Sequence, residues 1–163
     1  MASGPVPSPS PPWESERLSV VIPALTTSHD TLFSQALERY RQGTPPEELI
    51  EDFLQITAQA PGQSAGWTCL AWLQLLLDQP QAAVKSARTA VRLNPQDPQA
   101  RVNLSVAMLE TGAKGVREHI EIVQRITLMA PELAEELKES IADGLARRPG
   151  WSALEKVRGW LQV

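Results

Sequence analysis

The chain repeats one spacing of apolar and small residues with a period of 34 residues. Pro61 and Pro95 stand 34 residues apart, and each closes a run of helix-forming residues. The preceding unit, residues 30–63, has the same pattern as residues 64–97, with Phe33 at position 4 and Ile56 at position 27. In 64–97 itself, aromatic, leucine and alanine residues occupy positions 4, 7, 8, 20, 24 and 27: Trp67, Leu70, Ala71, Ala83, Ala87 and Ala90.

This pattern resembles the tetratricopeptide repeat (TPR) family, whose unit of about 34 residues is a pair of antiparallel helices. A single pair cannot bury its apolar stripes, so neighbouring pairs stack into an array. The resemblance implies an all-α, right-handed superhelical array with TPR units at 30–63, 64–97 and 98–131. The third unit is looser, because 112–115 contains two extra residues. A capping helix pair is expected at 132–163.

Prolines and glycines set the expected helix boundaries. Proline has no N–H to donate and disfavours helix in the residue before it, so Pro61, Pro95 and Pro131 should follow helix ends. After Pro131, an amphipathic stripe runs from Leu133 to Leu145, and a second one follows Gly150. The helices of the repeats are predicted at 30–42, 46–59, 64–77, 80–93, 98–111 and 115–129.

The N-terminal region differs from the repeats. Residues 1–17 are rich in proline and small residues, which predicts a disordered tail that cannot bury a core. Residues 18–29 begin with an apolar, β-branched stretch that is expected to be extended and to need cover. Two interpretations remain open for this stretch. It folds over the groove of the array and competes with a partner, or it caps the outer side of the first helix pair.

Composition restricts the class of function. The net charge of −4 argues against nucleic acid as the main partner. The chain has one cysteine, no basic stretch followed by an apolar run at its start, and no apolar run near the roughly 20 residues of a membrane span. We therefore expect a cytoplasmic protein without a membrane span. His29 and His119 have no cysteine or aspartate at ligand spacing, so no metal, cofactor or enzymatic activity is predicted.

The resemblance implies where a partner protein binds. In the TPR family, the first helix of each unit lines a concave groove. Carried over residue by residue, that surface is apolar in the second and third units and polar at its entrance, and we expect it to be exposed. Such a groove suits an amphipathic helix or an extended apolar peptide. The predicted partner-binding residues are Glu38, Arg41, Thr68, Trp72, Leu75, Leu76, Val102, Val106 and Leu109.

One known class of TPR ligand does not fit these residues. TPR co-chaperones hold the C-terminal carboxylate of Hsp70 or Hsp90 with lysine, arginine and asparagine side chains. Basic residues are missing from the matching positions here, and Glu38 would repel a carboxylate. Those positions hold Ser34, Glu38, Cys69, Gln99 and Asn103.

The sequence thus predicts a non-enzymatic scaffold for another protein, an adaptor or assembly factor that is monomeric when isolated. The alternative is a constitutive structural subunit, held in a larger complex or a homodimer by its groove or its last helix. An assembly factor should be monodisperse alone, whereas an obligate subunit should self-associate.

Overall fold

The computed structural model describes Gly4 and residues 28–163, with side chains from residue 30 onward. The predicted tail and the apolar stretch at 18–25 lie outside these residues. Within 28–163 the chain forms eight helices and no strand, which confirms the all-α fold. The first six helices begin and end within two residues of the predicted bounds. They are α1 Ser28–Arg41, α2 Pro46–Gln59, α3 Ser64–Leu76, α4 Pro80–Leu93, α5 Pro98–Thr111, α6 Val116–Met129, α7 Pro131–Arg147 and α8 Ser152–Leu161.

Proline and glycine delimit the helices, as the sequence predicts. Helices α2 and α4 end shortly before Pro61 and Pro95, and Pro131 follows the end of α6 and begins α7. Several helices start with proline, whose missing N–H would be unpaired in the first turn in any case. Gly112 directly follows the end of α5, and Gly115 directly precedes α6. Both glycines have a positive φ that other residues rarely adopt.

Consecutive helices pack against each other along the whole array, and the first helices α3 and α5 of successive pairs also touch. Small side chains make these contacts close. The alanines of the repeat pattern, Ala71, Ala83, Ala87 and Ala90, have no exposed surface. Phe53 and Leu49 of α2 fill the core between the first two pairs. We call the surface formed by the first helices α1, α3 and α5 the inner face.

The C-terminal pair α7–α8 lies across the inner face. Helix α8 packs against both α5 and α6. Hydrogen bonds join α7 to α1 at the start of the array. The side chain of Arg147 bonds the main chain of α1 at Tyr40, and Gly144 lies against Trp72 of α3. The expectation of an exposed apolar groove is therefore wrong, because the chain's own last two helices cover much of it.

Candidate functional site

The predicted partner-binding residues separate into a buried and an exposed group. Leu75, Val102 and Val106 have no exposed surface, and Trp72 and Thr68 are each 8% exposed. Leu76 and Leu109 are half-buried against the same core, whereas Glu38 and Arg41 are exposed. The buried apolar members share one core with residues of α7 and α8: Leu137, Ile141, Leu154 and Val157.

A partner can reach Leu75, Val102 and Val106 only if α7 and α8 move aside, whereas Thr68 and Trp72 also line an open cleft. The assignment of Trp72, Leu75, Val102 and Val106 to partner binding stays a prediction. Their present contacts are with the protein's own C-terminal helices. Sequence periodicity showed that both C-terminal helices have an apolar stripe. It did not show which surface that stripe would cover.

A polar network fastens α7 to α1 and α3. The indole Nε1 of Trp72 donates a hydrogen bond of 2.8 Å to the hydroxyl of Tyr40, and this hydroxyl donates to Asp143. Asp143 pairs with Arg147 at 2.9 Å. The guanidinium of Arg147 also donates to the carbonyl of Tyr40 at 2.7 Å and lies 3.7 Å from its ring centroid. Burial, reinforced by the hydrogen bond to Asp143, raises the pKa of Tyr40 and keeps it a donor.

A second network fastens the segment between α7 and α8. Arg148 donates to the carbonyl of Leu75 at 2.8 Å and pairs with Glu110 at 3.2 Å. The indole of Trp151 donates to the same carboxylate at 2.6 Å. Arg147 and Arg148 stand at the break between the two C-terminal helices, and their long side chains reach the inner face and bond main-chain and carboxylate oxygens there.

Gly144 permits the close approach of α7 to α3. A Cβ atom added at this position would lie 2.6 Å from two ring carbons of Trp72 and 3.0 Å from a methyl carbon of Leu154. Carbon atoms in contact normally stay about 3.5–4.0 Å apart, so no larger residue fits without movement. Trp151 also contacts the Trp72 indole, with ring centroids 5.5 Å apart.

A cleft of about 430 Å³ remains open on the inner face beside α7. Its floor is apolar and buried, since Phe53, Leu73 and Trp72 are at most 8% exposed. Helix α7 forms one wall, and α3 and α5 supply a polar wall. Arg41 lies at the exposed edge. The lining residues are Leu37, Tyr40, Arg41, Phe53, Thr68, Cys69, Trp72, Leu73, Gln99, Asn103, Glu136, Glu139, Ser140 and Asp143.

The polar wall is held in a fixed orientation. Asn103 is fully buried and donates from its side-chain amide to the carbonyl of Thr68 at 3.0 Å. Its side-chain oxygen accepts a hydrogen bond of 2.7 Å from Gln99. Helices α3 and α5 are thereby joined through the wall. Gln99 and Asn103 occupy positions of the carboxylate clamp that does not fit this chain, and here they form part of the cleft wall.

Cys69 is the one thiol among the described residues that line the cleft. Burial, with a smaller effect of Asp97, raises the pKa of the Cys69 thiol to about 12, so the thiol stays protonated and is a poor nucleophile near neutral pH. None of the described residues that line the cleft is a histidine. The described residues hold no group of three or more His, Cys, Asp and Glu placed to bind a metal ion. None of the helices in 28–163 combines the length and apolar character needed to cross a membrane.

Comparison with known proteins shows similarity of fold. No protein-family model matches the sequence, and no curated protein matches it closely enough to be a relative. Among solved structures, the type III secretion translocator chaperone SycD of Yersinia enterocolitica is similar with a TM-score of 0.60 and 17% identity, over 83% of this chain and 96% of that one. A chain of a T3SS complex from Aeromonas hydrophila gives a TM-score of 0.61 and 16% identity, over 85% and 96%.

Proposed function

We propose that the chain is a non-enzymatic scaffold of the TPR type, an adaptor or assembly factor that binds an apolar segment of another protein. The observation that carries this proposal is the cleft beside α7, with its buried apolar floor and its fixed polar wall. Pockets of this composition bind ligands through apolar contact and use a few placed polar groups for orientation. The cytoplasmic location is expected from the sequence alone.

The structures that are similar to this chain come from proteins that bind other proteins, which supports the proposal. One is a translocator chaperone and the other is part of a T3SS complex, so both associate with other proteins. The 34-residue pattern adds the resemblance to TPR scaffolds. Within the cleft, Cys69 is a protonated thiol, and none of the described lining residues forms a nucleophile and base pair.

Blocking the cleft from one wall tests the proposal. Ser140 lines the cleft and is half-buried, whereas Ala142 lies on the same helix with its side chain exposed. Ser140→Trp should fill the opening, and Ala142→Trp is the matched control. Affinity purification from the native cells should recover the same partner with wild type and Ala142→Trp and lose it with Ser140→Trp. Equal recovery with both variants, at equal helix content by circular dichroism, would place binding elsewhere.

The alternative, a structural subunit or homodimer, has one observation in its favour. Leu128 and Met129 at the end of α6 are 83% and 86% exposed, and Trp160 near the end of α8 is 46% exposed. Exposed apolar side chains of this size are often interface residues. Sedimentation of the isolated protein separates the cases. A constitutive subunit should self-associate, and Met129→Glu should weaken that association. A scaffold should sediment as a monomer.

A further inference from the structure

The charge around the cleft is concentrated on the wall formed by α7. Glu136 and Glu139 line the cleft and are exposed, and no described cation forms an ion pair with either one. Asp143 lies one turn further along and is shared by Tyr40 and Arg147. Arg41 is the one cation among the described lining residues. It lies 3.7 Å from the carboxylate of Glu38, which offsets its charge.

The glutamates of this wall are close enough in the helix to repel each other. Glu136 and Glu139 are three residues apart on one helix face, and Glu139 and Asp143 are four apart. Like charges at these spacings repel each other. The helix dipole stabilises acids chiefly in the first turn, so Glu132 benefits from it, whereas Glu139 and Asp143 lie too far along α7. A cation placed between these carboxylates would remove the repulsion.

The opening also restricts the shape of a ligand. Helix α7 already lies across the inner face, where a partner helix would otherwise pack. An extended segment needs less width, because its side chains alternate between opposite sides of a narrow backbone. Such a segment can place an apolar side chain on Phe53, Leu73 and Trp72, while a neighbouring long side chain reaches the acidic wall.

Resting on the proposed function, we infer that the cleft binds an extended partner segment in which an apolar residue adjoins a lysine or arginine. The apolar residue occupies the floor. The cation lies at Glu136 and Glu139, whose charges it neutralises. Charge complementarity of this kind selects among partners that present similar apolar residues.

Three capped heptapeptides test the inference. One carries two leucines and two lysines, and in the others both lysines are replaced by serine or by glutamate. Binding is followed by the NMR shift of the indole N–H of Trp72, a residue that lines the cleft and bonds Tyr40 beside it. At low ionic strength the lysine peptide should bind about fivefold more tightly than the serine peptide, the effect of two exposed ion pairs. The glutamate peptide should bind most weakly.

A pair of double variants separates local from overall charge. Glu136→Gln with Glu139→Gln should remove the advantage of the lysine peptide. Glu132→Gln with Glu135→Gln changes the net charge equally on the same helix but leaves the lining intact, and it should retain that advantage.

Equal binding of the lysine and serine peptides would overturn the inference and leave the scaffold proposal intact. An equal loss in both double variants would overturn it as well, because attraction to the net negative protein would then suffice. If the lysine peptide does not bind at all, the inference is wrong. The scaffold proposal then depends on the affinity purification, in which Ser140→Trp should fail to recover the partner that wild type recovers.

Discussion

Substitution of Gly144 by alanine tests how closely α7 lies on the inner face. The added Cβ would stand 2.6 Å from two ring carbons of Trp72, about 1 Å inside normal contact. The ring cannot easily move, because Tyr40 accepts a hydrogen bond from its indole nitrogen and Trp151 packs against it. Helix α7 must therefore shift outward and weaken its contacts with α1 and α3.

The expected magnitude follows from two opposing effects. Overpacking of a core costs up to about 3 kcal/mol. Alanine is the better helix former and returns about 1 kcal/mol. The rigid indole places Gly144→Ala at the upper end of the overpacking range, so the net loss should be about 2 kcal/mol. For a chain of this length, such a loss lowers the Tm by about 4–8 °C.

Gly159→Ala is the matched control. Gly159 lies in α8, and no atom stands within 4 Å of an added Cβ. This variant should keep the helix-propensity gain, up to about 1 kcal/mol, without a clash. Urea unfolding followed by circular dichroism measures both variants against wild type. If Gly144→Ala is stabilised as much as Gly159→Ala, α7 does not lie against Trp72 and the reasoning fails.

Three further substitutions follow from burial and charge. Trp72→Ala should lower the free energy of unfolding in urea by about 3–5 kcal/mol, since the side chain is 8% exposed. A variant as stable as wild type would show that Trp72 is not buried and lies in an open groove. Ala83→Leu should cost about 1–3 kcal/mol, because Ala83 has no exposed surface, and an unchanged melting temperature would contradict the repeat register. His119 accepts a 2.9 Å hydrogen bond from Arg101, and burial and then Arg101 lower its pKa below the ordinary 6.5. The unfolded chain therefore binds this proton more readily, and the stability from neutral His119 is complete above pH 6.5 and lost as the pH falls further. The His119→Gln variant should not lose stability in this way below pH 6.5. If its unfolding free energy depends on pH as the wild type's does, His119 is not the source of the loss.

Local signals account for the part of the fold that the sequence predicted. The 34-residue spacing fixes which residues of a helix pair are small, and prolines at the helix ends set the boundaries. Each of these signals lies within one unit and needs no knowledge of distant contacts. Helix bounds such as 46–59, 80–93 and 98–111 were therefore predicted without error.

The course of α7 and α8 could not be predicted in the same way. Their apolar stripes would bury equally well against the end of the array or across its inner face. The choice depends on pairs far apart in the chain, such as Tyr40 with Asp143 and Arg148 with Leu75. One signal in the sequence pointed to this packing. Gly144 lies within the apolar stripe of a helix, where glycine lowers helix propensity, and a close contact with a neighbouring element is a reason for its presence there.

Direct observation of the contact between Gly144 and Trp72 tests the central claim, that the last two helices lie across the inner face and cover much of it. An isotope-edited NOE experiment on the full chain measures it. The α-protons of Gly144 should give strong NOEs to the Hζ2 and Hη2 protons of Trp72, whose carbons lie nearest to the glycine. The absence of these NOEs, together with rapid solvent exchange of the Trp72 indole proton, would show an open groove and contradict the claim.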